Sequence, residues 1–175
     1  MMKIFAPVFV ALIVVLDQLS KWWMLEGVFR PALGLGDPMR LMDWLLNAPA
    51  RLTYVSLPVF PVLNFTMVWN EGISFGLLSS GGWGLLTIIS LVISVLFFIW
   101  MIKSGNFYEK LALAMIVGGA LGNVFDRVRF GAVADFIDSY WKTVHFPAFN
   151  VADASISLGV VVLLIQGLFF AKNSA

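Results

Sequence analysis

Four long apolar runs constrain the fold of this chain more than any other feature of its sequence. A helix that crosses a bilayer needs about 20 mostly apolar residues. Runs of that kind predict spans at about residues 4–25, 83–102, 111–127 and 153–171. The chain is 61% hydrophobic and only 12% charged, which is more apolar than a soluble domain of this size needs. We therefore predict a single integral-membrane domain over residues 1–175, all-α in class, with both termini on one side.

Composition excludes several kinds of site. The chain has no cysteine, which removes disulfides, a cysteine nucleophile and thiolate metal ligands. His145 is the only histidine, so a histidine-rich metal site is excluded. We expect no metal and no cofactor. The formal net charge is +1, so no nucleic-acid partner is expected. No convincing cleavage site follows the first apolar run, so that run is predicted to be retained as helix 1.

The segments between the spans, about residues 26–80 and 128–152, are predicted to lie outside the membrane. Glycine and proline interrupt residues 26–61 so often that no span fits there. A short helix is predicted at residues 41–46, lying on the membrane interface with Trp44 at that level. Further interface anchors are predicted at Trp22, Trp23, Trp83 and Trp141.

Residues 63–70 alternate between apolar and polar side chains, which is typical of a strand. Leu63, Phe65, Met67 and Trp69 are predicted to point one way, and the polar residues between them the other. Asn70–Gly72 is a turn signal, and residues 73–76 alternate again. We expect a small β-hairpin or sheet at the membrane surface, because an open sheet edge inside hydrocarbon leaves backbone groups unpaired.

The side of the membrane is harder to predict. Counting Lys and Arg alone does not decide it. On the side of the termini, four cations lie in very short segments. On the other side, acidic residues partly cancel the cations of the long connecting segments. We place the termini in the cytoplasm and the long connecting segments on the extracytoplasmic side.

With that topology, the costly polar groups gather at the outer face of the membrane. Ionisable groups at a membrane boundary are expensive, which favours a functional reading. An ion or proton pathway needs such groups across the full depth, so the distribution argues against a channel or pump. The groups concerned are Asp17, Asp126, Asp135, Asp138 and Asp153, with Asn70, Asn123 and Asn150.

Paired carboxylates indicate a possible chemistry. Two close carboxylates share a proton, so one serves as base toward a water and the other as acid toward the scissile group. The residues alone do not choose between Asp126, Asp135 and Asp138 as partners in such a pair. A serine mechanism is disfavoured, because Ser20 is adjacent to Lys21 in sequence and Ser74 has no obvious base.

Structural roles compete with functional ones at these positions. Asp17 and Lys21 are four residues apart on one helix face, so they are expected to neutralise each other. Asp126 and Arg127 are favoured as an ion pair that ties a helix end to the site. For Asn70, Asn123 and Asn150, a structural role in a helix cap or turn is as well supported as a role in the site. Asp138 is interpreted as a water-facing side chain and His145 as an interfacial one.

At these motifs the sequence resembles the lipoprotein signal peptidase (signal peptidase II) family of bacterial integral-membrane aspartyl proteases. The resemblance covers nearly the whole chain. It rests on these segments, in order: Asp17-Gln18-Leu19-Ser20-Lys21, Asn70-Glu71-Gly72-Ile73-Ser74-Phe75-Gly76, Gly118-Gly119-Ala120-Leu121-Gly122-Asn123-Val124-Phe125-Asp126-Arg127, Val133-Ala134-Asp135-Phe136-Ile137-Asp138 and Phe149-Asn150-Val151-Ala152-Asp153.

The resemblance implies that Asp135 and Asp153 are the catalytic pair. It implies substrate-binding or supporting roles for Asp17, Lys21, Asn70, Gly72, Gly119, Asn123, Asp126, Arg127 and Asn150. The implied substrate is a diacylglyceryl-modified prolipoprotein, cut just before its lipid-bearing cysteine. Membrane lipid and cyclic peptide inhibitors of the globomycin type are the other implied partners. The implied location is the bacterial inner membrane, with the site toward the periplasm.

The chain departs from the family pattern in places. Ser74 and Ala134 replace an alanine and a valine, and the insert at about residues 31–52 is longer than usual. The insert bears on how the outer segment covers the site and on substrate preference. A noncatalytic membrane assembly factor and a small transporter remain as alternative functions.

Overall fold

The computed structural model of the chain describes residues 2–72 and 82–169, and four of its helices are long and apolar enough to cross a membrane. The first begins as α1 (Met2–Trp22), continues through a π-helical segment (Trp23–Phe29) and ends as α2 (Arg30–Ala32). The other three are α4 (Gly82–Lys103), α5 (Phe107–Phe130) and α6 (Val151–Phe169). The predicted class, a mostly helical membrane protein with a small sheet, is confirmed.

The first helix extends past its predicted end near residue 25, to Ala32. Gly27 and Pro31 suggested a break in the helix, but the charge of Glu26 is neutralised by Arg30 within the same helix. Its buried carboxylate accepts a hydrogen bond from Arg30 Nε at 2.5 Å, one turn further along. Since an ion pair at this spacing stabilises a helix, the chain remains helical where composition predicted a loop.

The short helix predicted at residues 41–46 is confirmed as α3 (Leu41–Leu46). The Trp44 side chain is fully buried by protein, and its level at the membrane interface stays a prediction. The Arg129 guanidinium lies 4.1 Å from the Trp44 ring centroid and donates a hydrogen bond to the Trp44 carbonyl. A cation over an indole face is among the stronger contacts an aromatic ring makes, so Trp44 holds α3 in place.

A small antiparallel sheet has the strand order β1-β2-β3-β4. Its strands are β1 (Ser56–Phe60), β2 (Leu63–Asn70), β3 (Val133–Trp141) and β4 (Val144–His145). The strand predicted at residues 63–70 is confirmed, whereas the sequence did not predict the other strands. The strand predicted at residues 73–76 lies outside the described residues.

The predicted alternation along β2 is interrupted. Phe65 pairs with Ile137, but the next pair joins Val68 to Asp135. Two residues of β2, Thr66 and Met67, therefore stand opposite one residue of β3, which is a β-bulge. Side chains after the bulge therefore lie on the face opposite to the one that uninterrupted alternation predicts.

The described residues form two compact units, and each contains part of the polar motifs. One comprises the described parts of Met1–Asp17, Thr87–Val124 and Val151–Ala175. The other comprises those of Gln18–Leu86 and Phe125–Asn150 and contains the sheet. The core of the first unit is a cluster of small and medium apolar side chains: Ala6, Val10, Met101, Leu113, Ala114 and Val117.

Glycines allow helices to approach closely in the first unit. A Cβ on Gly118 would lie 2.8 Å from the Cβ of Ile13 in α1. A Cβ on Gly119 would lie 2.4 Å from the backbone oxygen of Ala152 in α6. Backbone atoms cannot move aside as a flexible side chain can, so Gly119 is required by the packing of α5 against α6.

We expect Gly119→Ala to lower the free energy of unfolding by about 1–3 kcal/mol, the usual cost of overpacking a close contact. The added methyl group would overlap the Ala152 carbonyl. Gly167→Ala is the matched control in a helix, since its new Cβ would have no neighbour within 4 Å. Thermal unfolding in detergent measures both variants. Equal stability of the two would contradict the assigned packing.

Candidate active site

Asp135 is buried on β3, 1% exposed, with a hydrogen-bond donor on each carboxylate oxygen. Asn70 Nδ2, at the end of β2, donates to Oδ2 at 2.9 Å. Asn150 Nδ2 donates to Oδ1 at 2.7 Å and to the Ala134 carbonyl at 3.3 Å. Two amide donors favour the ionised form of a carboxylate over its protonated form. The structure thus brings together three residues that the sequence singled out separately.

A tight turn orients Asn70. The backbone N–H of Gly72 donates to Asn70 Oδ1 at 2.8 Å, so the side-chain amide is held from both ends. This is an Asx-turn, a role that asparagine commonly has. Gly72 has φ +80°, and a Cβ there would lie 2.1 Å from Leu86 Cδ1. Gly72 therefore supports the site through its backbone conformation.

Asp153 lies in the first turn of α6 and accepts a hydrogen bond at Oδ1 from Asn123 Nδ2, at 2.8 Å. A carboxylate in this position also interacts favourably with the positive end of the helix dipole. Asn123 is 6% exposed and lies in α5. Asn123 and Asp153 belong to two different sequence motifs and are hydrogen-bonded in the fold.

Asp17 is fully buried, and its Oδ1 accepts the backbone N–H of Ala152 at 3.0 Å. It therefore satisfies one of the open N–H groups at the start of α6. The structure gives Asp17 and Lys21 each a partner distant in sequence, and the ion pair expected between the two residues stays a prediction. The spacing within helix 1 could not have indicated these partners.

Asp126 forms a buried ion pair with Lys21, whose Nζ lies 2.8 Å from Asp126 Oδ2, and both side chains are fully buried. Gln18 Nε2 donates to Asp126 Oδ1 at 2.9 Å. The N–H of Ala134 donates to Oδ2 at 3.1 Å. Asp126 thus fixes the backbone immediately before Asp135. Gln18 was not predicted as a partner of Asp126, although a glutamine in an apolar span is itself a signal.

Asp138 does not face water, contrary to our interpretation, and is 7% exposed. Thr66 Oγ1 and Asn64 Nδ2 donate to its Oδ2 at 2.9 and 3.3 Å. His145 Nδ1 lies 2.8 Å from its Oδ1. Burial acts to raise the pKa of the Asp138 carboxyl, but the hydrogen bonds from His145, Thr66 and Asn64 outweigh it and hold the pKa below its usual value.

We expect Asp138→Asn to lower stability at pH 7 by about 1–2 kcal/mol, a typical value for losing hydrogen bonds to a charged acceptor. A carboxyl with a depressed folded-state pKa stabilises the protein above its unfolded pKa of about 3.9. This contribution is lost as pH falls through the folded value. Thermal unfolding of wild type and variant should therefore converge in acid. A difference that stays constant down to acid pH would exclude this role of the charge.

Residues 2–72 and 82–169 contain no group of three or more acidic or histidine side chains that could hold a metal ion. The polar groups of the site are instead carboxylates with amide, ammonium and backbone N–H partners. Thr66 and Asn64 were missed as partners of Asp138. Their position on the polar side of the strand pattern was the available signal.

The fold is that of a multi-pass membrane enzyme. Two solved structures described as a bacterial membrane enzyme, obtained by the in meso method, are similar to it over almost their whole length. One superposes with a TM-score of 0.72 at 28% identity, covering 98% of this chain and 92% of the other. The second gives a TM-score of 0.70 at 28% identity, covering 95% and 94%.

The chain belongs to the signal peptidase (SPase) II family, whose model matches residues 9–169. A lipoprotein signal peptidase from Shewanella piezotolerans is 36% identical over 169 residues, covering 94% of this chain and 86% of that protein. One from Acinetobacter baumannii is 39% identical over 167 residues, covering 93% and 82%. The resemblance found in the sequence motifs is confirmed.

Proposed function

We propose that this chain removes the signal peptide from diacylglyceryl-modified prolipoproteins, acting as an aspartyl endopeptidase that cuts just before the lipid-bearing cysteine. Membership of the signal peptidase II family and relatives named lipoprotein signal peptidase support the reaction class. The buried environment of Asp135 supports the aspartyl mechanism. Asp153 is proposed as its partner in catalysis.

One observation carries the mechanism: these carboxylates differ in the hydrogen-bonding partners they bind. Asp126 lies against the ammonium of Lys21, and Asp138 lies against His145 and Thr66. Asp135 accepts from the side-chain amides of Asn70 and Asn150, and Asp153 accepts from that of Asn123. An amide donor orients a carboxylate and leaves it able to take part in proton transfer.

In the proposed reaction, Asp135 is the base and Asp153 the acid. Asp135, ionised and held at both oxygens, takes a proton from a water molecule. The water oxygen bonds to the scissile carbonyl carbon while Asp153 gives its proton to the carbonyl oxygen. Collapse of the tetrahedral intermediate breaks the C–N bond. The proton held by Asp135 goes to the leaving amine, and the hydroxyl proton returns to Asp153, which restores both groups.

The lipid on the substrate has a direct role in this proposal. A diacylglyceryl group stays in the bilayer and therefore holds the adjacent peptide bond at the membrane face. We place the enzyme in the bacterial inner membrane with its termini in the cytoplasm and its site toward the periplasm. Cyclic peptides of the globomycin type are proposed to compete for the same site.

Cleavage by the purified protein in detergent, with products identified by mass spectrometry, tests the function. The expected product begins with the diacylglyceryl-cysteine. The same prolipoprotein without the lipid is the matched substrate control and should be cut far more slowly. Cleavage at another bond, or equal cleavage without lipid, would contradict the assigned specificity. Absence of any cleavage would favour the noncatalytic assembly factor.

A further inference from the structure

The bulge in β2 decides which carboxylates the strand can contact. In a regular strand, side chains two residues apart share one face. Asn64, Thr66 and Asn70 would then all lie on the same face of β2. Asp135 and Asp138 on the neighbouring strand are three residues apart, so they face opposite sides. If β2 were regular, these three side chains could therefore not reach both aspartates.

The observed hydrogen bonds do reach both aspartates. Asn64 and Thr66 donate to Asp138, whereas Asn70 donates to Asp135. The register changes between Phe65 and Val68, which is between the two sets of donors. The extra residue shifts everything after it to the opposite face. Asn70 therefore reaches Asp135 because the bulge lies at Thr66–Met67.

The bulge is held by the residues around Asp138. We name Asn64, Thr66, Asp138 and His145 the Asp138 cluster. Thr66 belongs to the bulge itself and connects Asp138 to Ser56 of β1, with 2.7 Å between the Ser56 and Thr66 hydroxyl oxygens. The cluster thus fixes the bulged residue from both neighbouring strands. Slipping the register by one residue would break these contacts and turn Asn70 away.

We propose that the Asp138 cluster is a positioning element for the reaction: it locks the bulge in β2 so that Asn70 holds Asp135. The proposal rests on the function proposed above, with Asp135 as base. Thr66 and Asp138 are positioning residues here, since they act through Asn70 and the strand register. This gives Asp138 a part in the chemistry without contact with the substrate.

Thr66→Val tests the proposal, because it removes the hydroxyl and keeps the shape of the side chain. We expect kcat for prolipoprotein cleavage to fall about 10- to 100-fold, the range for a small misplacement of a catalytic group. KM should change little. The acid side of the kcat/KM profile should move to higher pH, because Asp135 loses a donor that favours its ionised form. Thr66→Ser should restore wild-type behaviour.

Tyr140→Phe is the matched control, since it also removes one hydroxyl from the same sheet. Its hydroxyl contacts the Phe60 carbonyl at 3.5 Å. Its ring stacks on His145 of the Asp138 cluster, with 5.0 Å between the ring centroids, and Tyr140→Phe keeps that ring. This variant should keep wild-type kcat and pH profile. A Thr66→Val variant that is less stable but has wild-type kinetics would overturn the proposal, leaving the cluster a purely structural role.

A double-variant cycle separates the proposed pathway from a general weakening of the sheet. Asn70→Ala and Asn70→Ala/Thr66→Val should have nearly the same kcat, because both lack the contact through which Thr66 acts. If the two substitutions reduce kcat by factors that multiply in the double variant, the proposal is overturned.

Amide hydrogen exchange gives a readout independent of activity: Thr66→Val should increase exchange over residues 66–70 and 133–136. Unchanged exchange there also overturns it, whereas an inactive wild type would count against the proposed function alone.

Discussion

Asp135→Asn and Asp153→Asn should each abolish prolipoprotein cleavage, with kcat reduced by about 10³-fold or more, within the range for losing acid–base catalysis. Asparagine keeps the size of the side chain but cannot take up or give the transferred proton. Steady-state cleavage of the lipidated substrate measures the effect. Each variant should still fold, because asparagine keeps the size of the side chain and one accepting oxygen, although Asp135→Asn gives up one of the two amide donors.

Asp37→Asn is the control for this pair, since Asp37 is an exposed aspartate outside the helices and strands. It should cleave at the wild-type rate and unfold like wild type. Asp135→Asn should be somewhat less stable, because one hydrogen bond to the buried side chain is lost, but should remain folded at the assay temperature. The result that would reassign the mechanism is an active Asp135→Asn together with a folded but inactive Asp126→Asn. Membership of the family would be unaffected by that result, but the catalytic pair would have to be reassigned.

Lys21→Met should give the largest loss of stability, about 3–5 kcal/mol, because it leaves the Asp126 carboxylate buried without its cation. Both side chains are fully buried, so water cannot replace the lost partner. The Ala134 N–H and Gln18 would remain as donors to Asp126 but carry no charge. Unfolding in detergent, followed by circular dichroism, measures the change.

Lys103→Met is the matched control, since Lys103 is exposed at the end of α4. It should lower stability by less than about 1 kcal/mol, the usual worth of a surface charge at a helix end. The double variant Lys21→Met/Asp126→Leu should recover part of the loss, because the buried carboxylate is removed together with its cation. A Lys21→Met protein as stable as Lys103→Met would contradict the buried ion pair.

Hydropathy predicted the four long helices because a membrane span depends on local composition. The end of the first helix was predicted too early for a reason that is also local. Gly27 and Pro31 outweighed the Glu26–Arg30 pair, which cancels two charges within one turn. Leu41–Leu46 was predicted with the correct bounds, but the burial of Trp44 depends on Arg129, far along the chain.

The sheet was only partly predictable because its pairing is non-local. β3 carries aspartates three residues apart, so it lacks the period-two pattern that indicated β2. Its partner strand lies about 70 residues earlier in the sequence, as in the pair Asn64–Asp138. The bulge at Thr66 could not be inferred from alternation, since alternation assumes a regular strand.

The site residues were named from the family resemblance, and their spacing alone would not have selected them. Asp126, Asp135 and Asp138 look equivalent in the sequence, whereas in the structure they bind Lys21, two asparagines and His145, respectively. What distinguishes a carboxylate is its partner, and these partners come from distant segments. The catalytic roles of Asp135 and Asp153 stay predictions until the variants are measured.

The segment between the first helix and β1 is attached to the rest of its unit at only some points. Glu26 accepts the Met39 N–H at 2.9 Å, and Arg129 donates to the Trp44 carbonyl. Arg51 donates from two nitrogens to the Phe130 carbonyl, at 2.8 and 2.6 Å. Between these attachments Leu46 and its neighbours are exposed. The sequence of such a segment can change, or the whole segment can be replaced by that of a related protein, provided that the residues that attach it are kept.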